Sequence, residues 1–307
     1  MTIEHASVQV ARKPWGVADL HPWSRVDGSA DPVGELWFQR AGGPLPALLL
    51  KLLFTSAPLS IQVHPDDNFA RSIGFPNGKT EAWYVLSALP GAQVAVGLTR
   101  QIAPRELQAS IRDGSIADLV HWRPVVKDDV IFIPAGTIHA IGAGIVLAEI
   151  QQRSDTTFRL FDYGRNRELH EDRAVAASDA GPAQTQRSPQ RLTAARTALI
   201  ASPYFVLERI DLPTGSRWTL DADRETWILV IEGRALIGEM NMSAGDAVFA
   251  ESDRAGIEAG PDGMSGLIAY PGPDPVMSLL EESQAQISQS AGASRSPKPK
   301  EIVEAQT

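Results

Sequence analysis

Short apolar runs separated by turn residues are the feature that most constrains the fold of this 307-residue chain. Residues 47–97 contain the runs ALLLKLLFTS, SIQVHP and EAWYVLS, with Pro, Gly, Asn and Asp between them. Such runs are typical of strands in an all-β domain. Residues 103–122 interrupt the pattern with helical spacing, where Pro104 suits a first helical turn and Gly114 a break. The sequence therefore predicts a mainly β fold with a short helical excursion.

A segment of small and polar residues divides the chain at 178–193. Because SDAGPAQTQRSPQRLT offers little apolar surface to bury, we interpret it as a connector. It separates a first predicted domain, 1–177, from a second series of short strands, 194–281. Residues 282–307 have too little apolar content to form a core and are predicted to be a disordered tail.

The two β regions share a weak internal repeat. TEAWYVL and then KDDVIFIPAGTIHAI in the first resemble ETWILVIEG and then SAGDAVFAESDRAGIEA in the second. Aligning Asp129 with Asp246 places Gly256 at the position of His139, and no histidine follows His170. We therefore expect a metal held by imidazole groups in the first domain only, with one ion per chain.

Composition excludes several kinds of partner and site. The formal net charge of -9, with no basic stripe, argues against binding to nucleic acid or to an anionic membrane. Because the sequence has no cysteine, a transition metal would need His, carboxylate or amide ligands. The start MTIEHASVQVARKPWG lacks the pattern of a signal peptide, and no stretch approaches 18 apolar residues. The predicted location is cytoplasmic, and the oligomeric state stays open.

Four polar residues interrupt apolar β segments of the first domain. Gln62 and His64 are two positions apart in a predicted strand, so their side chains project to the same face. Glu81 lies in EAWYVL, and His139 follows a Pro-Gly turn in IPAGTIHAI. Singly, each fits a structural role, such as a hydrogen-bonded histidine or an ion pair between Glu81 and Lys79. Together they form a ligand set suited to Zn²⁺ or another divalent ion, and an unpaired buried carboxylate would be costly.

A second polar face follows in the segment IVLAEIQQRS. There Glu149, Gln151 and Arg153 lie on one side of a predicted strand. The face could be exposed to solvent or could line a cavity, and the sequence leaves both alternatives open. Further on, Arg159 has apolar neighbours on both sides, which argues against a simple surface position.

The ordered combination of these motifs resembles the short bacterial form of type I mannose-6-phosphate isomerase, a zinc-dependent family of the cupin superfamily. The resemblance covers most of the chain and continues more weakly to Gly272. The matching segments are KPWG (13–16), GELW (34–37), SIQVHPDD (60–67), GKTEAWYVL (78–86) and DDVIFIPAGTIHAIGAGIVLAEIQQRSDTTFRLFDYGR (128–165). The resemblance implies a cupin (jelly-roll) β-barrel that bears the metal site and a second, degenerate cupin-like domain.

The resemblance also implies roles for individual residues. The implied zinc ligands are Gln62, His64, Glu81 and His139. The implied residues of the sugar-phosphate site are Lys79, Glu149 and Arg159, and we interpret Glu149 as the first candidate for the proton carrier. The chain departs from longer members because it lacks their large helical insertion and has no ligand residues in its C-terminal half.

The implied reaction interconverts mannose 6-phosphate and fructose 6-phosphate by proton transfer through an enediol(ate). One alternative is a non-catalytic cupin that binds a sugar or a metal. Another is a metal-dependent oxygenase, which usually uses iron held by two histidines and one carboxylate. The additional Gln62 and the cationic pair Lys79 and Arg159 favour a phosphosugar.

Overall fold

A computed structural model describes residues 2–186 and 188–283. Strands dominate the part of the chain that precedes the predicted connector, and they confirm the mainly β prediction. In chain order the elements of this first region are β1 (Thr2–His5), β2 (Ser7–Val17), β3 (Val33–Gln39), β4 (Leu48–Thr55), β5 (Ile61–Val63), α1 (Asp67–Ser72), β6 (Glu81–Ala88), β7 (Gln93–Leu98), α2 (Pro104–Asp113), α3 (Ile116–Leu119), β8 (Val120–Pro124), β9 (Val130–Ile133), β10 (His139–Ile141), β11 (Ile145–Gln152), β12 (Phe158–Phe161) and α4 (Glu171–Ala177).

Two antiparallel sheets of the first region pack against each other. One has the strand order β2-β3-β4-β11-β6-β9 and the other has the order β12-β5-β10-β7-β8. Apolar side chains from both meet between them, among them Trp83 and Val85 from β6 and Val94 and Val96 from β7. The two sheets are hydrogen-bonded separately and do not close into one continuous barrel. This two-sheet arrangement is consistent with a jelly roll.

Short helices cover the outer face of the five-stranded sheet. Leu107 and Ile111 of α2 pack in one cluster with Ile61 and Val63 of β5, so these two strand residues point away from the space between the sheets. The helical excursion is confirmed. Helix α2 begins with a proline in its first turn and ends at Gly114, whose φ of 82° is left-handed, and strand β8 follows α3 directly. Among the described residues, no helix is long and apolar enough to cross a membrane.

The second region forms a large sheet of its own. Strand β1, from the start of the chain, joins this sheet by pairing with β19. The predicted tail, 282–307, lies outside the described residues from residue 284 onward. The elements of this region are β13 (Gln190–Arg191), β14 (Arg196–Ala201), β15 (Phe205–Leu212), β16 (Arg217–Ala222), β17 (Thr226–Ile237), β18 (Met240–Ser243), β19 (Ala247–Glu251), β20 (Asp253–Pro271), a 3₁₀ helix (Met277–Leu279) and β21 (Leu280–Glu282).

An apolar core joins the two regions. Leu50 and Phe54 on the outer face of the six-stranded sheet belong to the same buried cluster as Trp227 and Phe249 of the second region. The connector also contacts the first region, since the Ile102 amide donates to the Ala180 carbonyl at 2.9 Å. The division into domains at 178–193 stays a prediction.

Candidate metal centre

The four predicted ligands come from two strands of one sheet and the first residue of a strand in the other. Gln62 of β5 pairs directly with His139 of β10, and His64 follows the last residue of β5. Glu81 is the first residue of β6 in the facing sheet. Because Ile61 and Val63 face the helices, Gln62 between them faces the space between the sheets. The alternation predicted from SIQVHP accounts for the inward direction of Gln62, while the pairing of β5 with β10 and the facing position of β6 bring His139 and Glu81 to the same place.

His64, Glu81 and His139 form a compact buried cluster. All three residues are 0% exposed. The His64 Nε2 lies 3.4 Å from Glu81 Oε2, and the His139 Nε2 lies 3.5 Å from Glu81 Oε1. One ligand atom from each residue falls within 4.8 Å of the others. Such a group of two imidazoles and a carboxylate could hold one divalent ion.

Backbone carbonyls orient both imidazole rings toward the cluster. The His64 Nδ1 lies 2.9 Å from the Thr156 carbonyl, and the His139 Nδ1 lies 2.8 Å from the Thr137 carbonyl. A carbonyl only accepts, so each Nδ1 must donate its hydrogen, which leaves the Nε2 lone pair facing Glu81. Burial, together with the nearby Lys79 charge, lowers the pKa of His64 to about 3, and burial lowers the pKa of His139. Both rings are therefore neutral at pH 7, the form that binds metal.

Gln62 lies beside this cluster, and its amide nitrogen points toward His139. Its Nε2 is 3.3 Å from His139 Nε2, while its Oε1 accepts a hydrogen bond from the Ser60 hydroxyl at 3.1 Å. An amide binds a metal through oxygen, so a ligand role for Gln62 requires the side-chain amide in the opposite orientation. The predicted ligation by Gln62 stays a prediction.

Lys79 contacts the cluster, and Glu149 lies next to Lys79; the catalytic roles implied for both residues stay predictions. The Lys79 Nζ lies 2.6 Å from Glu81 Oε2, 3.1 Å from His64 Nε2 and 3.9 Å from Glu149 Oε1. Burial alone would lower the pKa of Lys79, but the Glu149 and Glu81 carboxylates outweigh it and raise that pKa. Lys79 is therefore a fixed positive charge.

The two buried carboxylates beside Lys79 have pKa values shifted in opposite directions. Burial alone would raise the pKa of Glu81, but the positive charge of Lys79 beside it holds that pKa well below its ordinary value. Burial raises the pKa of Glu149, and the neighbouring Glu81 charge adds to the increase. Carboxyl groups that differ in this way are suited to different roles, one as a permanent anion and one as a group that exchanges a proton.

Lys51 is a site residue that the sequence interpretation missed. It is 3% exposed, and its Nζ lies 3.3 Å from Glu149 Oε1 and 3.9 Å from Glu35 Oε2. Charges consequently alternate from Lys51 through Glu149 and Lys79 to Glu81. The available signal was a single lysine in the otherwise apolar run LLLKLLF, because an unpaired ammonium group is as costly to bury as a carboxylate.

Arg159 lies at the edge of the same face. It pairs with Gln62 across β12 and β5, so the two side chains leave the sheet on the same side. Its guanidinium group donates to the Glu168 carbonyl at 3.3 Å and is only partly buried. Arg159 is therefore placed beside the cluster without contacting Lys79 or Glu149 among the hydrogen bonds of the described residues.

The fold and this cluster define a mainly β protein with a candidate metal centre between the two sheets of its first region. The chain is 33% identical to the mannose-6-phosphate isomerase ManA of Bacillus subtilis over 233 residues, which are 71% of this chain and 72% of that protein. The chain belongs to the mannose-6-phosphate isomerase family. It is also 38% identical to the mannose-6-phosphate isomerase of Streptococcus mutans over 168 residues, and that alignment spans about half of either protein, 52% and 53%.

Solved structures agree with the fold. The crystal structure of the mannose 6-phosphate isomerase from Bacillus subtilis has a TM-score of 0.77 at 24% identity and covers 88% of this chain and 100% of that one. A mutant of the phosphomannose isomerase from Salmonella typhimurium has a TM-score of 0.70 at 15% identity and covers 89% of this chain and 100% of that one. No protein-family profile matches the chain. These likenesses support the predicted fold class over almost the whole described chain.

Proposed function

We propose that this chain is a zinc-dependent isomerase that interconverts mannose 6-phosphate and fructose 6-phosphate. The observation that carries the proposal is the buried His64, Glu81 and His139 cluster in direct contact with Lys79, whose ammonium group also lies 3.9 Å from Glu149, in a chain of this family. The relatives named above are mannose-6-phosphate isomerases, and the sequence resemblance implies the same substrates. The cytoplasmic location stays a prediction.

The residues of the cluster suit a zinc ion. Two neutral imidazoles present their Nε2 atoms, and their Nδ1 atoms are held by backbone carbonyls, as is usual for metal-ligating histidines. Glu81 contributes a carboxylate with a lowered pKa, and Gln62 would complete a set of four with its amide oxygen. When bound there, zinc would act as a Lewis acid toward the carbonyl oxygen of the sugar.

Glu149 is the group we assign to carbon-bound proton transfer. In the forward direction its carboxylate removes the proton from C2 of the open-chain aldose, giving the enediol(ate), and then returns the proton to C1. The hydroxyl proton moves from the C2 oxygen to the C1 oxygen, so the sugar gains and loses no atoms overall. A buried carboxyl group with a raised pKa is suited to holding a proton between two such steps.

Lys79 and Arg159 supply the positive charge of the site. Lys79 is buried and held between Glu81 and Glu149, so it can stabilise negative charge that develops on the sugar oxygens. Arg159 lies farther out on the same face and is partly exposed, a position suited to the phosphate group. Lys51 forms a second ion pair with Glu149, at 3.3 Å, and helps to hold its carboxylate in place.

A coupled assay for fructose 6-phosphate tests the proposal. The zinc-supplemented protein should form fructose 6-phosphate from mannose 6-phosphate, lose that activity in the presence of a chelator and regain it when zinc is restored. A protein that binds zinc and the sugar phosphate but forms no product would be the non-catalytic cupin instead.

A further inference from the structure

Gln151 presents a buried acceptor that the proposed reaction does not use. The residue is 0% exposed, and its Oε1 has no hydrogen-bond donor among residues 2–186 and 188–283. Glu81 Oε2 also lacks a well-oriented hydrogen bond, but the Lys79 ammonium lies 2.6 Å from it. Gln151 Oε1 is thus the one buried side-chain acceptor of the described residues with neither a hydrogen bond nor an ion pair.

The orientation of the Gln151 amide is determined by its nitrogen. The Nε2 donates to the Gln152 carbonyl at 3.0 Å and to the Ser154 carbonyl at 2.5 Å. Exchanging the nitrogen and the oxygen would bring Oε1 against two carbonyl oxygens, which only accept. The oxygen must therefore point away from these carbonyls, and burying it without a donor costs free energy.

The strand register places Gln151 beside the reacting groups. Gln151 of β11 lies directly opposite Glu81 of β6, so their side chains leave the sheet on the same face. Glu149 is two residues away on that strand and shares the face. Burial excludes the solvent-exposed alternative for these two residues, because Glu149 is 3% exposed and Gln151 0%.

We propose that Gln151 Oε1 accepts a hydrogen bond from a hydroxyl group of the bound sugar phosphate and so contributes to substrate specificity. The inference rests on the proposed function, since it takes a polyhydroxy sugar as the ligand. The position next to Glu149 and Glu81 favours a hydroxyl close to the reacting carbons C1 and C2, on C3 or C4. A site built around such a hydrogen bond discriminates against an analogue that lacks the hydroxyl.

The test compares substrates that differ by one hydroxyl in proteins that differ by one side chain. Wild type and Gln151→Met are loaded with zinc, and kcat/KM is measured for mannose 6-phosphate and for its 3-deoxy and 4-deoxy analogues. The discrimination ratio is kcat/KM for mannose 6-phosphate divided by kcat/KM for a deoxy analogue. Wild type should have a ratio well above one for at least one analogue, and that ratio should fall about tenfold or more in Gln151→Met. Because a ratio is compared, a general loss of activity from the lost Ser154 contact cancels.

Gln152→Met is the matched control. Gln152 also uses both ends of its amide, because it accepts from the Thr80 amide at 2.9 Å and donates to Asp67 at 3.0 Å, but its side chain leaves the opposite face of β11. Its discrimination ratios should stay within about twofold of wild type. If Gln151→Met does not fold, Gln151→Asn replaces it, because the shorter amide withdraws the acceptor from the site.

Two outcomes would overturn the inference. Unchanged ratios for both analogues in the Gln151 variant would mean that the acceptor serves a water molecule only. A loss of zinc from Gln151→Met would mean that the residue serves the metal. Failure of the proposed function is recognised separately, because wild type would then not convert mannose 6-phosphate at all. In that case the same comparison of substrates and variants would use dissociation constants from calorimetry in place of kcat/KM.

Discussion

The two regions of this protein use the same Glu-x-Trp motif for different purposes. Glu81 and Trp83 begin β6, and Glu225 and Trp227 stand at the start of β17. In each pair the indole nitrogen donates to the glutamate carboxylate at 3.0 Å. The local conformation is therefore the same, and the difference lies in what surrounds each carboxylate.

Glu81 faces two imidazoles and a lysine, whereas Glu225 faces backbone. The Glu225 carboxylate accepts hydrogen bonds from the amides of Ala47, at 2.5 Å, and Leu48, at 2.8 Å, at the start of β4. Burial raises the pKa of Glu225, while neighbouring positive charge keeps the pKa of Glu81 low. In the second region the glutamate therefore joins the two regions through hydrogen bonds to β4. It cannot form a similar metal site there, because no histidine follows His170.

The internal repeat corresponds to matching structure at one turn, but the two regions differ ten residues after it. Asp129 accepts from the Val126 amide at 2.8 Å, and Asp246 accepts from the Ser243 amide at 2.9 Å, so the two turns correspond. His139 is buried, however, whereas Gly256 is exposed on β20. Counting ten residues on from the aspartate therefore reaches a buried position in the first region and an exposed position in the second.

Removing the second region should have the largest effect. A chain that ends at Thr193 would expose the outer face of the six-stranded sheet, including Leu50 and Phe54. Each such side chain contributes about 1.5–3 kcal/mol when buried, so a few of them equal the whole stability of a typical domain, about 5–15 kcal/mol. We expect insoluble or unfolded product, measured by solubility and circular dichroism. A soluble, active fragment would show that the first region needs no support.

His139→Ala should abolish activity and release the metal. The substitution removes one of the two imidazoles of the cluster. No histidine follows His170 in the sequence, so the second region offers no replacement. Zinc content and fructose 6-phosphate formation measure the effect. His121→Ala, at an exposed histidine of the same region, is the control and should match wild type. Retention of zinc in His139→Ala would remove this residue from the ligand set.

Glu149→Gln should leave the metal bound but lower turnover about 100-fold or more, the usual effect of removing a general acid or base. The amide keeps the size of the side chain and cannot exchange the proton. Zinc content and kcat are measured on the same preparation, with Glu106→Gln on the exposed face of α2 as the control. Near wild-type turnover would exclude Glu149 as the proton carrier and direct attention to Lys79.

Glu225→Gln should have the smallest effect and should act on stability alone. An amide in place of the carboxylate retains one acceptor oxygen for the Ala47, Leu48 and Trp227 donors, so at least one of them loses its partner. The expected cost is about 1–3 kcal/mol in the free energy of unfolding, measured by denaturant titration. Unchanged stability would mean that the carboxylate does not help to join the two regions.

Local patterns in the sequence predicted much of the fold and the cluster. Alternation along β5 was enough to place Gln62 on the inner face, and Pro104 and Gly114 marked the ends of α2. The pairing of β1 with β19 could not be predicted in this way, because the two strands are separated by most of the chain and neither carries a local signal for the other.

The rest of the site depends on contacts between distant strands. Lys51 belongs to the site only because β4 lies next to β11, which brings its ammonium group against Glu149. The free acceptor of Gln151 likewise depends on where the carbonyl of Ser154 lies. Residue types at a given spacing do not contain this information.

Zinc affinity in the two Glu-x-Trp variants tests the central claim most directly. Wild type, Glu81→Gln and Glu225→Gln are each titrated with zinc in competition with a chelating indicator, and bound metal is counted by elemental analysis. We predict one ion per chain in wild type, the same affinity in Glu225→Gln, and an affinity at least about tenfold weaker in Glu81→Gln. Equal losses in both variants, two ions per chain, or no bound zinc in wild type would contradict the account.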